Sequence, residues 1–407
     1  MERKRLVAGG CAVLVALLVL RSASGGGDLL NGYSSSMRLN KMQLELSLAG
    51  FCMSPLPGQL MKNAKTAEGS PLGDFKETGD MIEDEYSKGS IYALLYSFYA
   101  SLGTVKSEKG VPYEFTFNTW GVSPTPGFED DPQRFGKAAY AGLVQTPAVT
   151  AYVAARRAKY GLSSATPAGT GMTIVEVGSG TGAGAHLIAG DLLPGAHYYA
   201  LDMQAQATAT CNRRHQFQRF ADGTSGTANV TCVHVPKGVG NDSPIVDGSG
   251  KRIASGSVDL VVICETHIAA TKIGPEEEAI FAEIHRVLAP GGLFVWGNAL
   301  PTYVWKAAPA AVGALGFHLQ LDENVTKGAI EARDLDAPRV NSFWEQWMDR
   351  MYVTDIFGRK SQCAVVLEMM VKNFYRHPKT ALYNTMVTGH DSYCRHVYKK
   401  TRRSKVA

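Results

Sequence analysis

The stretch that most constrains the fold of this chain is a β-branched run followed directly by closely spaced glycines. Residues 172–177 read M-T-I-V-E-V, a pattern typical of a buried strand. Residues 178–185 read G-S-G-T-G-A-G-A, and an apolar segment of helical character, residues 186–193, follows. In this order of strand, turn and helix, glycines permit a tight turn and let the backbone approach a bound nucleotide closely. The segment therefore predicts a nucleotide-type site at the end of a buried strand.

Two carboxylates around the glycines bear on which cofactor binds there. A second strand, residues 197–201, ends at Asp202, where a carboxylate can accept hydrogen bonds from both hydroxyls of a ribose. Residues 180–185 satisfy the G-x-G-x-x-A pattern of dinucleotide-binding folds, which alone is a weak signal. Glu176 separates the alternatives, because a carboxylate just before the glycines is unfavourable beside a pyrophosphate but suits a cationic amino-acid ligand.

Three segments carry a resemblance to a known family. The pattern E-x-G-x-G-x-G over residues 176–182 resembles motif I of the class I S-adenosylmethionine (SAM) methyltransferases. Residues 257–264 (S-V-D-L-V-V-I-C) resemble the fourth strand of that family, and residues 283–295 (E-I-H-R-V-L-A-P-G-G-L-F-V) resemble its next helix, turn and fifth strand. The resemblance implies an α/β fold with a seven-stranded, Rossmann-like sheet, and SAM as the cofactor.

The same resemblance implies which residues contact the cofactor. They belong to motif I and to the ends of the second and fourth strands: Glu176, Gly178, Ser179, Gly180, Gly182, Asp202, Met203 and Cys264. The adenine side departs from the family pattern, because P-K-G follows the third strand, residues 230–235, and Asp242 comes several residues late. Backbone amides are the expected substitute there.

Two further segments narrow the resemblance. Residues 113–115 with 120–121 are similar to the aromatic segment that precedes the SAM domain of sterol C-methyltransferases. Residues 264–267 (C-E-T-H) are similar to a segment of those enzymes and of phthiotriolone-type lipid O-methyltransferases. This likeness implies His267 as catalytic base, with Glu265 as the alternative base or as the residue that orients it. No spacing of Asp, Glu or His indicates a metal site, and we predict none.

The first 27 residues form a separate segment. Residues 1–5 read M-E-R-K-R, residues 6–20 are apolar or small, and a Gly/Ser-rich stretch follows Arg21. This pattern predicts a single-pass membrane anchor, with a cleaved signal peptide or an organelle transit peptide as alternatives. With an anchor, the basic flank stays cytoplasmic and the rest of the chain lies in the secretory lumen or an organelle interior. The sequons at Asn229 and Asn324 are compatible with that placement.

Composition and spacing set the outline of the whole chain. We predict four parts: the segment 1–27, a helical and aromatic N-terminal extension 28–135 that serves as a lid, a SAM-binding core 136–301, and a C-terminal cap 302–407 with a basic tail. The net charge of +4 gives no case for nucleic-acid binding. Seven cysteines without a C-x-x-C pair do not indicate a disulfide scaffold.

Together these features predict a membrane-associated, SAM-dependent methyltransferase that acts on a hydrophobic small molecule or lipid. O-methylation is preferred over C-methylation. Two alternatives stay open: a lumenal methyltransferase of proteins or polysaccharides, and a catalytically inactive methyltransferase fold that serves as a binding module.

Overall fold

The computed structural model describes residues 119–214, 229–240, 243–266, 268, 272–351, 377–378 and 380–401. The predicted anchor, most of the predicted lid and the end of the basic tail lie outside these residues. Within the described part, no helix is long and apolar enough to cross a membrane. Contacts divide the chain into two compact units, one of Met1–Glu114 with Ser342–Val371 and one of Phe115–Asn341 with Lys372–Ala407. The four predicted parts and their boundaries stay a prediction.

The second unit alternates strands and helices along the chain. Its strands are β1 Thr173–Val177, β2 His197–Asp202, β3 Val230–His234, β4 Val258–Cys264, β5 Leu288–Pro301, β6 Phe317–Asn324 and β7 Asp391–Lys400. Its helices are α1 Arg134–Val144, α2 Pro147–Lys159, α3 Ala183–Leu187, α4 Ala205–Arg214, α5 Pro275–Val287, α6 Thr302–Ala314, α7 Thr326–Met351, of which residues 326–341 belong to this unit, and α8 Ala381–Val387. A π-helical turn, Ile188–Leu192, continues α3.

All seven strands form one sheet in the order β3-β2-β1-β4-β5-β7-β6. The strands from β1 to β5 pair in parallel, whereas β7 runs antiparallel to both β5 and β6. The predicted seven-stranded, Rossmann-like sheet is therefore confirmed. Every residue of β4 is buried, as expected for a strand covered by helices on both faces of a parallel sheet.

The strand order places the ligand-binding edge. From β1 the chain moves outward through β2 and β3, and it then returns to place β4 on the other side of β1. Ligands of open α/β sheets bind in the crevice at such a reversal, outside the carboxyl ends of the strands. The loop after β1, Asp202 at the end of β2 and Glu265 after β4 all lie along that edge.

Asp259 links neighbouring elements at the amino ends of the strands, opposite the ligand-binding edge. Its Oδ1 accepts hydrogen bonds from Arg156 Nε at 2.7 Å and from the Tyr152 hydroxyl at 2.8 Å, both on α2. Its Oδ2 accepts one from the backbone N–H of Thr173, the first residue of β1, at 2.9 Å. One buried carboxylate thus joins α2, β1 and β4.

A disulfide joins α4 to β3. Cys211 and Cys232 are bonded, with their Cα atoms 6.1 Å apart and a separation of 21 positions in sequence. Cysteine spacing did not predict this bridge, because neither residue belongs to a recognisable pair or motif in the sequence.

Candidate active site

The loop after β1 owes its path to glycine. Gly178, Gly180 and Gly182 have φ of 76°, 54° and 76°, a left-handed conformation that side-chain-bearing residues rarely adopt. The backbone N–H groups of Gly178 and Ser179 both donate to the Leu201 carbonyl, at 2.8 and 2.9 Å. The loop is thereby fixed to the end of β2.

Close packing also requires glycine at these positions. A Cβ on Gly178 would lie 1.8 Å from Thr266 Cγ2, and one on Gly182 would lie 2.3 Å from Cys211 Sγ. The predicted glycine turn is therefore held from one side by the segment after β4 and from the other by the disulfide.

Asp202 lies at the end of β2 with its carboxylate against the loop. Its Oδ2 accepts a hydrogen bond from the Gly180 N–H and its Oδ1 one from the Gln204 N–H, both at 2.8 Å. Burial raises the pKa of Asp202 to about 6, against the opposing effect of these two bonds. Because each carboxylate oxygen can accept two hydrogen bonds, acceptor capacity remains for a ribose. Asp202 therefore fits its predicted role of binding the ribose hydroxyls of SAM.

Glu176 lies fully buried in β1 beneath the loop. The Tyr140 hydroxyl donates to its Oε1 at 2.9 Å, and the Tyr198 hydroxyl donates to its Oε2 at 3.0 Å. Burial raises the pKa of Glu176 to about 7, although these hydrogen bonds act in the opposite direction. The structure thus shows Glu176 held by two tyrosines, and its predicted contact with the cofactor stays a prediction.

Sequence reasoning missed Tyr140, which lies on α1. The signal that could have revealed a close neighbour is the fourth glycine of the run, beyond the three of the motif. A Cβ on Gly184 would lie 2.0 Å from Cε1 of the Tyr140 ring. Gly184 therefore makes room for the ring whose hydroxyl reaches Glu176.

The other predicted cofactor residues border the same edge. Ser179 is buried in the loop, and Met203 is 43% exposed directly after Asp202. Cys264, the last residue of β4, is buried, and burial raises the pKa of its thiol well above the usual range. An unionised thiol at this place is a packing group, and its predicted cofactor contact stays a prediction.

Glu265 has an unusual backbone conformation directly after β4. Its φ is 50°, which is uncommon and costly for a residue other than glycine. The Trp120 backbone N–H donates to its Oε2 at 2.7 Å, and the Tyr393 hydroxyl donates to its Oε1 at 2.6 Å. The carboxylate therefore joins the aromatic segment before the domain and β7 to the end of β4. The contribution of Tyr393 was not foreseen from the sequence.

His267, the predicted base, lies outside the described residues, as does Asp242. The role of His267 as a base stays a prediction. The neighbouring chain is anchored, since Asn298 Nδ2 donates to the Thr266 carbonyl at 2.6 Å. On the predicted adenine side, the insertion after β3 is tied to α5, because the Ile245 N–H donates to Glu283 Oε1 at 2.9 Å.

The part of the chain that carries the glycine loop and Asp202 matches a known protein family. Residues 175–296 match the family described as methyltransferase domain. This stretch of the chain is a methyltransferase domain. The matched stretch begins in β1, includes the glycine loop and Asp202, and ends in β5. The predictions of an enzyme of this class and of SAM as its cofactor are thus confirmed for the domain.

Two curated proteins are similar to this methyltransferase domain. A fatty-acid O-methyltransferase of Mycolicibacterium smegmatis is 28% identical over 143 residues, which are 34% of this chain and 43% of that protein. A protein of Mycobacterium ulcerans, named probable phthiotriol/phenolphthiotriol dimycocerosates methyltransferase 2, is 28% identical over 174 residues, 42% of this chain and 56% of the other. The chain thus spans about half the length of each relative.

The solved structures that are similar to this chain include a phosphoethanolamine N-methyltransferase 2 of Haemonchus contortus in complex with SAM. It is 16% identical to this chain with a TM-score of 0.40, and the alignment covers 72% of this chain and 62% of that protein.

Proposed function

We propose that this protein is a SAM-dependent methyltransferase that methylates a hydrophobic small molecule or lipid, with oxygen as the favoured acceptor atom. The observation that carries the proposal is the fixed glycine loop with the Asp202 carboxylate beside it, at the carboxyl edge of a methyltransferase-family sheet. When bound, the cofactor supplies a methyl group on a sulfonium, and the chain's own residues position it.

The residues at the edge divide the work of binding and proton transfer. Asp202 holds the ribose hydroxyls, and the loop backbone fixes the orientation. A hydroxyl or carboxyl acceptor needs its proton held or removed, and hydrogen bonds to both oxygens of a carboxylate make that carboxylate a weaker base. Because Glu265 accepts from Trp120 and Tyr393, the arrangement favours His267 as the base and Glu265 as a positioning residue.

The names of the two relatives support a lipid-type acceptor, since one is named for fatty acids and the other for phthiotriol/phenolphthiotriol dimycocerosates. A membrane anchor in residues 6–20 would bring the enzyme to such acceptors, and single-pass association with an endomembrane or organelle belongs to this proposal.

The test uses full-length protein, SAM labelled in the methyl group, and a long-chain fatty acid or a total lipid extract as acceptor. We expect labelled ester or ether in the organic phase, and its loss in His267→Ala with cofactor affinity unchanged. Glu265→Gln is expected to lower the turnover number more than the cofactor affinity. Label transfer to protein or polysaccharide alone would contradict the lipid proposal.

A second candidate, the lumenal methyltransferase of proteins or polysaccharides, has support of its own. Disulfides persist in oxidising compartments, and this domain contains the Cys211–Cys232 bridge. The sequon residues Asn229 and Asn324 are both exposed, as glycan attachment requires. A mobility shift of the expressed protein after glycosidase treatment favours a lumenal location, and labelled protein or polysaccharide in the assay above would then favour this candidate.

A further inference from the structure

The disulfide lies directly against the cofactor loop. The nearest neighbour of a Cβ built on Gly182 is Cys211 Sγ, at 2.3 Å, so the loop backbone and the bridge touch without a side chain between them. Cys211 belongs to α4, which begins three residues after Asp202, and Cys232 belongs to β3. The bridge thus joins α4, the helix that follows Asp202, to β3, and one of its sulfurs lies against Gly182 of the glycine loop.

The two sulfurs differ in access. Cys211 is fully buried, whereas Cys232 is partly exposed. A ring nitrogen of His186, on α3, lies within 4.8 Å of both sulfurs. We therefore expect an external thiolate to attack Cys232, the more exposed of the two residues, and an imidazole lies near the thiolate that would leave from Cys211.

We propose that Cys211–Cys232 is a thiol-exchange site through which a dithiol reductant lowers the affinity of this domain for its cofactor. The proposal rests on the proposed function above, because it concerns SAM binding. The formed bridge keeps the glycine loop in its binding conformation, and the reduced pair does not.

The exchange balances as a two-electron reduction. One thiolate of the reductant attacks Cys232 Sγ and forms a mixed disulfide, while the S–S bond breaks and Cys211 leaves as a thiolate that takes up a proton. The second thiolate of the reductant then attacks the reductant sulfur that is bonded to Cys232. The Cys232 sulfur leaves as a thiolate and is protonated. The protein disulfide is reduced to two thiols, and the dithiol is oxidised to a disulfide.

Packing explains why the loop responds. Bonded sulfurs lie about 2 Å apart, whereas non-bonded heavy atoms rest about 3.5–4 Å apart. On reduction, Cys211 Sγ must move relative to Cys232, and Gly182 occupies the space beside it. Displacement of Gly182 also shifts Gly180, whose N–H is bonded to Asp202.

The experiment titrates the full chain with SAM in the oxidised state, after reduction by a dithiol, and after reoxidation, by calorimetry. We expect at least about tenfold weaker binding on reduction and recovery on reoxidation. Binding within twofold in the two states would overturn the inference while leaving the proposed function intact. Absence of binding in the oxidised state would overturn both.

Two variants sharpen the result. Cys211→Ser/Cys232→Ser is expected to bind weakly with or without dithiol, whereas Cys394→Ser, which removes a buried free cysteine, should respond like the wild type. If the double variant does not fold, the reversible change in the wild type decides alone. Uptake of Zn²⁺ by the reduced protein with recovery of SAM binding would overturn the inference, since His186 and the cysteines would then form a metal site.

Discussion

Three carboxylates along one edge of the sheet are held by different partners, and those partners give them different chemistry. Glu176 is enclosed by two tyrosine hydroxyls, Asp202 accepts only backbone N–H groups among its described hydrogen bonds, and Glu265 accepts one N–H and one hydroxyl. Of the three, Asp202 is the one whose carboxylate accepts a hydrogen bond from a backbone N–H of the glycine loop. It is therefore the residue on which cofactor affinity should depend most.

Glu176 predicts a dependence of stability on pH. Its pKa is about 7 in the folded protein against an ordinary 4.5, so the folded state retains a proton that the unfolded chain releases. The free energy of unfolding should therefore fall as pH rises from 4.5 to about 7, by an amount on the order of 3 kcal/mol for this group.

Glu176→Gln removes that titration. Urea unfolding across this pH range should show a smaller decline in the variant than in the wild type, with the remaining decline coming in part from Asp202, whose pKa is also raised. Equal slopes in the two proteins would show that Glu176 does not retain its proton.

Gly182→Ala, in the glycine loop, and Gly127→Ala, in a turn before α1, form a matched pair. Both glycines have φ near 80°, at 76° and 82°, but only the Cβ at position 182 meets another atom. Gly127→Ala should lower the free energy of unfolding by about 1–2 kcal/mol, the cost of the left-handed conformation. Gly182→Ala should lower it further and weaken SAM binding, measured by denaturation and calorimetry. Equal losses would mean that the contact with Cys211 carries no weight.

How far these residues could be predicted depends on whether their partners are close in sequence. The glycines and Asp202 follow from a short pattern, because strand, turn and helix are local. Tyr140, Tyr198 and Tyr393 could not be assigned, because the carboxylates they contact lie 22 to 128 residues away. A pattern of residue types does not say which tyrosine reaches which carboxylate.

At the scale of elements, two side-chain cross-links hold helices against the strands of the sheet. Asp259 joins α2 to β1 and β4 at the amino edge, and the disulfide joins α4 to β3. Closing a loop of 21 residues stabilises the fold by about 3 kcal/mol in the chain-entropy view. The elements that form the carboxyl edge are thus held by Asp259 at the amino ends of the strands and by the disulfide beside the glycine loop.

Asp259→Ala should destabilise the domain by about 3 kcal/mol, because it leaves the Arg156 guanidinium, the Tyr152 hydroxyl and a backbone N–H without this acceptor. Asp131→Ala is the control, since its ion pair with Lys137 is about a quarter exposed and should be worth about 1 kcal/mol or less. Chemical denaturation measures both. A loss at Asp259 no greater than at Asp131 would contradict a structural role for this carboxylate.

Elements with continuous apolar runs were predictable, and those set by distant pairing were not. Residues 172–177, 197–201 and 257–264 correspond to β1, β2 and β4, because buried parallel strands are almost uniformly apolar. The antiparallel insertion of β7 between β5 and β6 depends on pairing between residues 70 to 106 positions apart, which no local pattern reveals.

At the scale of the whole molecule, one edge of one sheet gathers the features that bear on function. The glycine loop, Asp202, Glu265 and the disulfide contact all lie there, on a domain of the methyltransferase family. The methyl acceptor, the base and the placement of the chain at a membrane are not among these observed features, and they remain proposals.

The most direct test of the account is calorimetric titration of SAM into the oxidised full-length protein and into Asp202→Ala. We expect a single site in the wild type and binding weaker by about tenfold or more in the variant, because hydrogen bonds to a charged acceptor are worth about 1.5–3 kcal/mol. Glu331→Ala, which removes an exposed carboxylate on α7, should bind like the wild type. No binding in the wild type, or equal affinity in Asp202→Ala, would contradict the account.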